Sequence, residues 1–230
     1  LEDLGVPRRD GGPVETDGRK IWRIFCENWK LFRGTPSRTW LSHAFETLFG
    51  ITEAPSAANA DRLYDTIDAA LKTPAFRPRA LFERMNIEVI ATAESPLDDL
   101  RHHAAIRASG WKGRVLTAYR PDPVVDPEAR GFLDNLEAFA AIADVDIGTW
   151  SGYLEAHRRR RTFFKAHGAT STDHGHPTAA TADLSPADAE ALWARVRKGA
   201  ASAAEAETFR AQVLTEMAKM SIDDGLVMQI

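Results

Sequence analysis

The sequence predicts an α/β fold, in the form of part of a (β/α)8 barrel with about four parallel strands, preceded by an all-helical segment. Three observations carry this prediction. The first third of the chain shows helical periodicity without strands, four short strand-like stretches follow, and capped helices separate each strand from the next. Strands that alternate with capped helices favour a parallel sheet with crossover helices. Four such strands make half of a barrel.

Residues 1–80 are expected to form a helical cap or insertion. Residues 1–17 are rich in glycine, proline and charge, which is typical of a lead-in loop. From Lys20 to Thr73 the apolar residues recur at helical spacing, and no strand is expected there. The recurring positions include Ile21, Phe25, Trp29 and Phe32, then Trp40, Ala44 and Leu48, then Leu63, Ile67 and Leu71.

Residues 81–230 are expected to form the barrel segment. The predicted strands cover residues 87–92, 114–119, 169–172 and 226–230. After the first strand, Ser95 is expected to cap a helix with Pro96 at its first position, and Gly110 lies where that helix should stop.

The later helices carry start signals of their own. Asp126 is expected to cap the helix after the second strand, and a long helix is expected to run from Thr149 to Gly168. Ser185 and Ser202 each begin a capping-box pattern, which predicts two more helices before the last strand.

Composition excludes several classes of protein. With 230 residues, of which 44% are hydrophobic, the chain is long enough to bury a core, so a disordered chain is excluded. A net charge of -4 provides no basic surface for nucleic acid. No apolar run is long enough to span a membrane, no export signal opens the chain, and the single cysteine, Cys26, is expected to be a core thiol. These features favour a cytoplasmic enzyme.

Both ends of the chain suggest an internal piece of a longer enzyme. The sequence opens on Leu1 without an initiator methionine and closes on the apolar, strand-like run Leu226 to Ile230.

Candidate site residues follow the predicted strands, because reactive groups in parallel α/β proteins stand at the carboxyl ends of strands. They are Thr92 and Glu94 after the first strand, Arg120-Pro121-Asp122 after the second, and Asp173-His174-Gly175-His176 after the third. The guanidinium fork of Arg120 suits a carboxylate or a vicinal pair of hydroxyls. A structural ion pair with Asp122 is an equally good interpretation of this arginine.

The histidines of the chain allow more than one interpretation. Asp173 and His174 could serve as an acid/base pair, and His174-Gly175-His176 has the His-x-His spacing of metal ligands, although a flexible loop is the more economical interpretation. His102-His103 is expected to pack within a helix, with at most one ring facing the sheet. The run from His157 to Arg161 is expected to be a solvated or salt-bridged helix face rather than an anion site.

At these strand ends the chain resembles the uronate isomerase (glucuronate isomerase) family, which belongs to the amidohydrolase superfamily of TIM barrels. The matching pieces, in order, are Phe49-Gly50-Ile51, Pro96 to His103, Tyr119-Arg120-Pro121-Asp122, and Ala166-His167-Gly168 leading to Asp173-His174. The chain departs from the family pattern at Tyr119 (tryptophan in the family), at Thr172 (serine), and at Ala93-Glu94-Ser95 (a Thr-Asp-Asp run). The last departure weakens any role for Glu94.

The resemblance implies an incomplete site within this chain. An early His-x-His would precede Leu1, a further histidine would follow Ile230, and a late aspartate would lie beyond. A divalent metal, zinc by preference, is therefore implied with most or all of its ligands outside this segment. By resemblance Arg120 contacts the substrate, and Asp173 is a catalytic residue that orients a hydroxyl or relays a proton.

The activity implied is aldose–ketose isomerisation of hexuronates, D-glucuronate to D-fructuronate or D-galacturonate to D-tagaturonate, by proton transfer through an enediol. The hexuronate is the only partner implied, apart from a possible homo-oligomer. A metal-dependent hydrolase of the same superfamily is one alternative. A helical interaction protein is another, and it predicts no cavity that joins Arg120 to Asp173.

Overall fold

A computed structural model describes residues 15–230 of the chain. The described residues form two compact units that divide after Asn86, and each unit has a hydrophobic core of its own. The first 14 residues of the expected lead-in lie outside the described part.

The first unit is helical throughout its described residues. It contains α1 (Gly18–Glu27), α2 (Pro36–Phe49), α3 (Ala60–Leu71) and α4 (Pro78–Arg84), and residues 15–86 include no strand. Thr35 caps α2 by accepting a hydrogen bond from the Arg38 amide, and Pro36 occupies the first helical position. The helical prediction for residues 20–73 is therefore confirmed.

The core of the first unit is aromatic. Its buried members are Trp29, Phe45, Ile51 and Leu63. Trp40, one of the recurring apolar positions that predict the helices, is 70% exposed. The reason lies in the face that α2 buries: Leu41, Phe45 and Phe49 recur every four residues on that face, and Trp40 lies about 100° away from it.

The second unit is built on one parallel sheet. Its strands are β1 (Val89–Glu94), β2 (Arg114–Tyr119), β3 (Ser171–Asp173) and β4 (Val227–Gln229), paired in the order β1-β2-β3-β4. All three pairings are parallel. The predicted order and direction of the strands are confirmed, although β1 and β3 each begin two residues later than expected.

Register determines which residues share a face of this sheet. Tyr119 pairs with Thr172, so both side chains lie on the same face, and Tyr119 contacts α7 (Trp150–Ala166) through His157. Because successive residues of a strand alternate in direction, the next residue on each strand points to the opposite face. Those next residues are Arg120 and Asp173.

The remaining helices separate the strands as predicted. They are α5 (Arg101–Ala108), α6 (Phe132–Ala143), α8 (Pro186–Val196) and α9 (Ala203–Asp224). The start signals of α7, α8 and α9 are confirmed. Thr149, Ser185 and Ser202 each accept a hydrogen bond from a backbone amide of the first turn, and Ser202 forms a complete capping box with Glu205.

Two predicted helix starts were wrong. Ser95 begins a turn, in which its carbonyl accepts from the Asp98 amide, and α5 starts only after Leu100, whose φ is 55°. Asp126 likewise accepts from the Glu128 amide within a turn, and α6 starts after Gly131. Short polar side chains satisfy local amides in turns as readily as at helix starts.

The main core of the second unit lies among α6, α7, α8 and α9. Tyr153 stacks on Trp193 with ring centroids 4.3 Å apart, and Trp193 stacks on Phe209 at 5.7 Å. Within residues 15–230, no helix has the length and apolar character needed to cross a membrane.

The arginine run on α7 is only partly the face that was expected. Arg161 is buried and forms a salt bridge with Asp224 at 2.7 Å. Arg160 is buried as well, but it donates to the carbonyls of Pro96 and Asp98 at 2.8 and 2.7 Å. Neither residue is solvated. Arg161 has the salt bridge that the sequence allowed for, whereas Arg160 is buried because the turn after β1 needs donors for its carbonyls.

Candidate active site at the ends of β2 and β3

Arg120 and Asp173 are in direct contact. Nη2 of Arg120 donates to the Asp173 carboxylate across 53 residues of sequence. Asp173 is the last residue of β3, and Arg120 directly follows β2, where its amide donates to the carbonyl of Glu94 at 2.9 Å. The structure thus brings together the two residues that the sequence singled out, at the carboxyl ends of neighbouring parallel strands.

Both side chains remain accessible. The Arg120 side chain is 44% exposed and that of Asp173 is 27% exposed. A guanidinium in this setting has donors left over for an anionic ligand, since only one of its nitrogens is engaged by Asp173. The arrangement can bind a carboxylate or hydroxyl groups and place them beside a carboxylate that is able to exchange a proton.

Asp122 is the second carboxylate near Arg120. Its Oδ2 lies 3.7 Å from Nε of Arg120, so the arginine has both of the partners considered from the sequence. The Gly175 amide donates to the two oxygens of Asp122 at 3.0 and 3.1 Å. Burial raises the pKa of Asp122, and the nearby charge of Asp173 acts in the same direction.

His174 is turned away from Asp173. Its ring is buried, and Nε2 shares a hydrogen bond of 2.9 Å with Thr172 on the face that packs toward α7. Burial, followed by the charges of His176 and Arg161, lowers the pKa of His174 to about 3. His174 is therefore a neutral core histidine, and the geometry gives no support to an acid/base pair with Asp173.

His176 does not complete a metal site. Its ring lies 5.6 Å from that of His174, and neither of its buried ring nitrogens has a hydrogen-bond partner among the described residues. Within residues 15–230, no group of three or more histidine, cysteine, aspartate or glutamate side chains is arranged to hold a metal ion. The residues present do not by themselves fit a metal centre.

Thr92 and Glu94 form a separate arrangement. Thr92 shares a hydrogen bond of 2.9 Å with Nε2 of His103, and Glu94 lies 3.6 Å from the same nitrogen. His102 is exposed, so one histidine of the pair faces the sheet, as expected. Glu94 therefore belongs to the packing of α5 on β1.

The sequence does not predict the contact between Asp122 and Gly175. It places Asp122 after the second strand, as an ion-pair partner of Arg120, and Gly175 in the loop after the third strand. A signal was present in the spacing, because Asp122 follows Arg120 by the same two positions by which Gly175 follows Asp173. Parallel register makes these positions neighbours, but the register itself could not be read from the sequence.

Comparison with known proteins decides the family. A family model described as "Glucuronate isomerase" matches residues 12–230. The chain belongs to the glucuronate isomerase family. The resemblance found at the strand ends is thereby confirmed.

Curated relatives agree over the full length of this chain. The uronate isomerase of Xanthomonas axonopodis pv. citri (strain 306) is 64% identical over 230 residues, which is 100% of this chain and 49% of that protein. The uronate isomerase of Rhizobium meliloti (strain 1021) is also 64% identical with the same coverage. The chain therefore spans about half the length of the curated relatives that it matches.

A solved structure supports the same family. The crystal structure of glucuronate isomerase from Caulobacter crescentus matches with a TM-score of 0.90 and 57% sequence identity, and it covers 100% of this chain and 48% of the other. Glucuronate isomerases of known structure are TIM barrels, so the predicted fold class, part of a (β/α)8 barrel with four parallel strands and a preceding helical segment, is confirmed.

Proposed function

We propose that the polypeptide that carries this chain interconverts the aldose and ketose forms of a hexuronate, D-glucuronate with D-fructuronate or D-galacturonate with D-tagaturonate. The observation that carries the proposal is the contact between Arg120 and Asp173 at the ends of β2 and β3, in a chain of the glucuronate isomerase family.

The reaction needs a proton moved between adjacent carbons. Removal of the proton from C2 of the aldose leaves an enediolate, which takes a proton on O1 to become the enediol. A proton then adds to C1 while O2 loses its proton and becomes the carbonyl oxygen of the ketose. The developing oxygen charge must be stabilised, and the substrate carboxylate must be held so that the reacting carbons are aligned.

Each of the two residues has a defined part in this scheme. Arg120 offers a planar set of donors that orients the anionic hexuronate. Asp173, held by the same guanidinium, orients a substrate hydroxyl or relays its proton during the transfer between O1 and O2. Their contact positions both groups on one side of the substrate.

The same proposal includes a bound divalent metal ion, with zinc as our first choice. Residues outside this segment supply most or all of its ligands. The described residues supply no group of three ligands, so we assign the metal no step in the reaction. Metal analysis of the full polypeptide after dialysis tests this part, and a metal-free preparation that retains full turnover would reject it.

The alternative functions have less support. The family and its named relatives do not favour a metal-dependent hydrolase. A helical interaction protein gives no reason for a polar contact between residues 53 positions apart at the ends of two parallel strands.

A direct experiment tests the activity. The full polypeptide is incubated with D-glucuronate or D-galacturonate in D2O, and ¹H and ¹³C NMR follow the ketose product. We expect the keturonate to form, with partial exchange of the transferred hydrogen for deuterium as the sign of the enediol. Absence of ketose from both substrates would reject the proposal, and release of a hydrolysis product from ester or amide substrates would favour the hydrolase.

A further inference from the structure

We propose that Asp122 is a positioning residue. Its carboxylate contacts the Arg120 guanidinium and the Gly175 backbone amide in the loop after β3, and these contacts, called the clasp below, hold the guanidinium in the orientation that receives the substrate. This inference rests on the proposed function. Asp122 acts through its contacts with Arg120 and Gly175.

The Arg120 guanidinium needs a second constraint. Asp173 engages Nη2 alone, and a single ion pair leaves the guanidinium plane free to rotate about that contact. Nε of Arg120 is buried and has no hydrogen-bond partner among the described residues, and Oδ2 of Asp122 at 3.7 Å is the negative charge beside it. Two carboxylates on different edges of the guanidinium restrict its plane where one does not.

The Asp122 carboxylate is itself fixed by backbone. Both of its oxygens accept from the Gly175 amide, at 3.0 and 3.1 Å. The main-chain carbonyl of Asp122 accepts hydrogen bonds from the amides of Val125 and Asp126, each at 3.1 Å, in the short 3-10 turn that follows β2. Backbone donors have no rotamers to lose, so they hold the carboxylate more rigidly than a flexible side chain would.

The clasp continues the register of β2 and β3 beyond the end of their ladder. The ladder contains only two pairs, Ala118 with Ser171 and Tyr119 with Thr172. Arg120 meets Asp173, and Asp122 meets Gly175, at the same separation of 53 residues. Side-chain contacts thus replace the backbone pairing and keep the two strand ends aligned where the site lies.

Gly175 is required by the closeness of this contact. A Cβ at Gly175 would lie 2.6 Å from Oδ2 of Asp122, so the carboxylate would have to move. Gly175 is not among the glycines with positive φ, so alanine is compatible with the backbone and would act by displacing the carboxylate.

Kinetics of variants of the full polypeptide test the clasp. In Asp122→Ala we expect kcat/KM for the uronate to fall about 10- to 100-fold, because a displaced guanidinium misaligns the substrate. Asp122→Asn keeps one acceptor for Gly175 and should recover part of the loss. Asp183→Ala, at a carboxylate whose side chain is 89% exposed, is the matched control and should leave turnover unchanged.

A double-mutant cycle separates positioning from general damage. Gly175→Ala should reproduce the loss of Asp122→Ala, and the double variant should be no worse than the more damaged single variant, because both act through one carboxylate. Additive losses, or a fall in melting temperature of more than about 5 °C in Asp122→Ala, would show a structural role and overturn the inference.

The Arg120 Nε–H signal in ¹H–¹⁵N spectra gives a readout that does not depend on turnover. We expect a slowly exchanging signal in the unmodified protein and its broadening in Asp122→Ala. An unchanged signal together with unchanged kcat/KM would overturn the inference. If the unmodified protein converts neither uronate, the proposed function fails, and with it the role of Asp122 in that reaction; the signal then shows whether the clasp itself exists.

Discussion

Neighbouring residues at the ends of β2 and β3 face opposite sides of the sheet, and the polar groups on the two sides have different environments. Tyr119 and Thr172 face α7, where His157 and His174 are buried. Arg120 and Asp173, one step later, face the other way and remain accessible, so substitutions on the two faces should have different effects: loss of turnover on the accessible face, and loss of stability on the face toward α7.

Substitution of the two site residues should abolish turnover and leave the fold intact. Arg120→Met keeps the apolar stem and removes the charge-assisted donors, so we expect kcat/KM to fall about 100-fold or more. Asp173→Asn keeps the shape and should lower it about 10- to 100-fold. Steady-state kinetics on the full polypeptide, paired with thermal melts, measure both.

Arg159→Met is the control, because Arg159 is a half-exposed arginine of α7 that pairs with Glu155. Near-normal turnover in the Arg120 and Asp173 variants would refute the site. Lost activity with early melting would make the two residues structural.

The buried histidines should make stability depend on pH. Burial lowers the pKa of His174 from 6.5 to about 3, and it lowers the pKa of His157 well below 6.5. Below pH 6.5 these two histidines bind protons in the unfolded chain but stay neutral in the folded chain. Their contribution to the free energy of unfolding is therefore fully present above pH 6.5 and is lost as pH falls toward 3. His174 should contribute about 1.4 kcal/mol per pH unit in that window, and His157 acts in the same direction.

Urea unfolding at a series of pH values measures this slope. His174→Asn should reduce the slope by about one proton, whereas His102→Gln, at an exposed histidine, should not change it. An equal slope in all three proteins would show that His174 takes up its proton in the folded state as readily as in the unfolded chain.

The sequence predicted the site residues that lie directly after parallel strands. Arg120 and Asp173 could be named because residues that follow parallel strands meet at one end of the sheet. The place of Asp122 could not be named, because it depends on a register that only the folded ladder shows. The neutrality of His174 also depends on which face of β3 is buried.

Elements were predictable to the extent that their end signals are unique. Ser202 and Glu205 satisfy each other's backbone amides, a reciprocal pattern typical of a helix start, and α9 begins there. Ser95 and Asp126 accept from amides of turns instead, and both predicted starts failed. Ser185 has the same Ser-Pro-x-Asp pattern as Ser95 and does begin a helix, so that pattern alone does not separate a turn from a helix start.

Removal of the α9 cap should lower stability measurably. Ser202→Ala leaves the Glu205 amide without its side-chain acceptor, and we expect a loss of about 1 kcal/mol in the free energy of unfolding. Ser42→Ala, at an exposed position inside α2, is the matched control and should be neutral or slightly stabilising. Equal effects of the two substitutions in urea unfolding would contradict the assignment of the cap.

At the scale of the whole molecule, the alternation of strands and helices predicted the sheet. The arginine-rich composition of α7 did not predict that two of its arginines are buried. A run of arginines in sequence indicates a surface, and the structure instead buries Arg160 and Arg161 against carbonyls and Asp224. The acceptors lie in segments 60 or more residues away along the chain, so the sequence around these arginines does not predict the contacts.

The last prediction concerns metal in the whole molecule. Stable zinc sites in proteins need three or four well-placed ligands, and the described residues offer at most His174 and His176. His174 has Nε2 committed to Thr172, which leaves one nitrogen for a metal. We therefore expect the 230-residue chain to lose zinc to a chromophoric chelator, and His176→Asn in the full polypeptide to leave the metal content unchanged. Tight stoichiometric zinc in the isolated chain, lost in His176→Asn, would show instead that these two histidines bind metal.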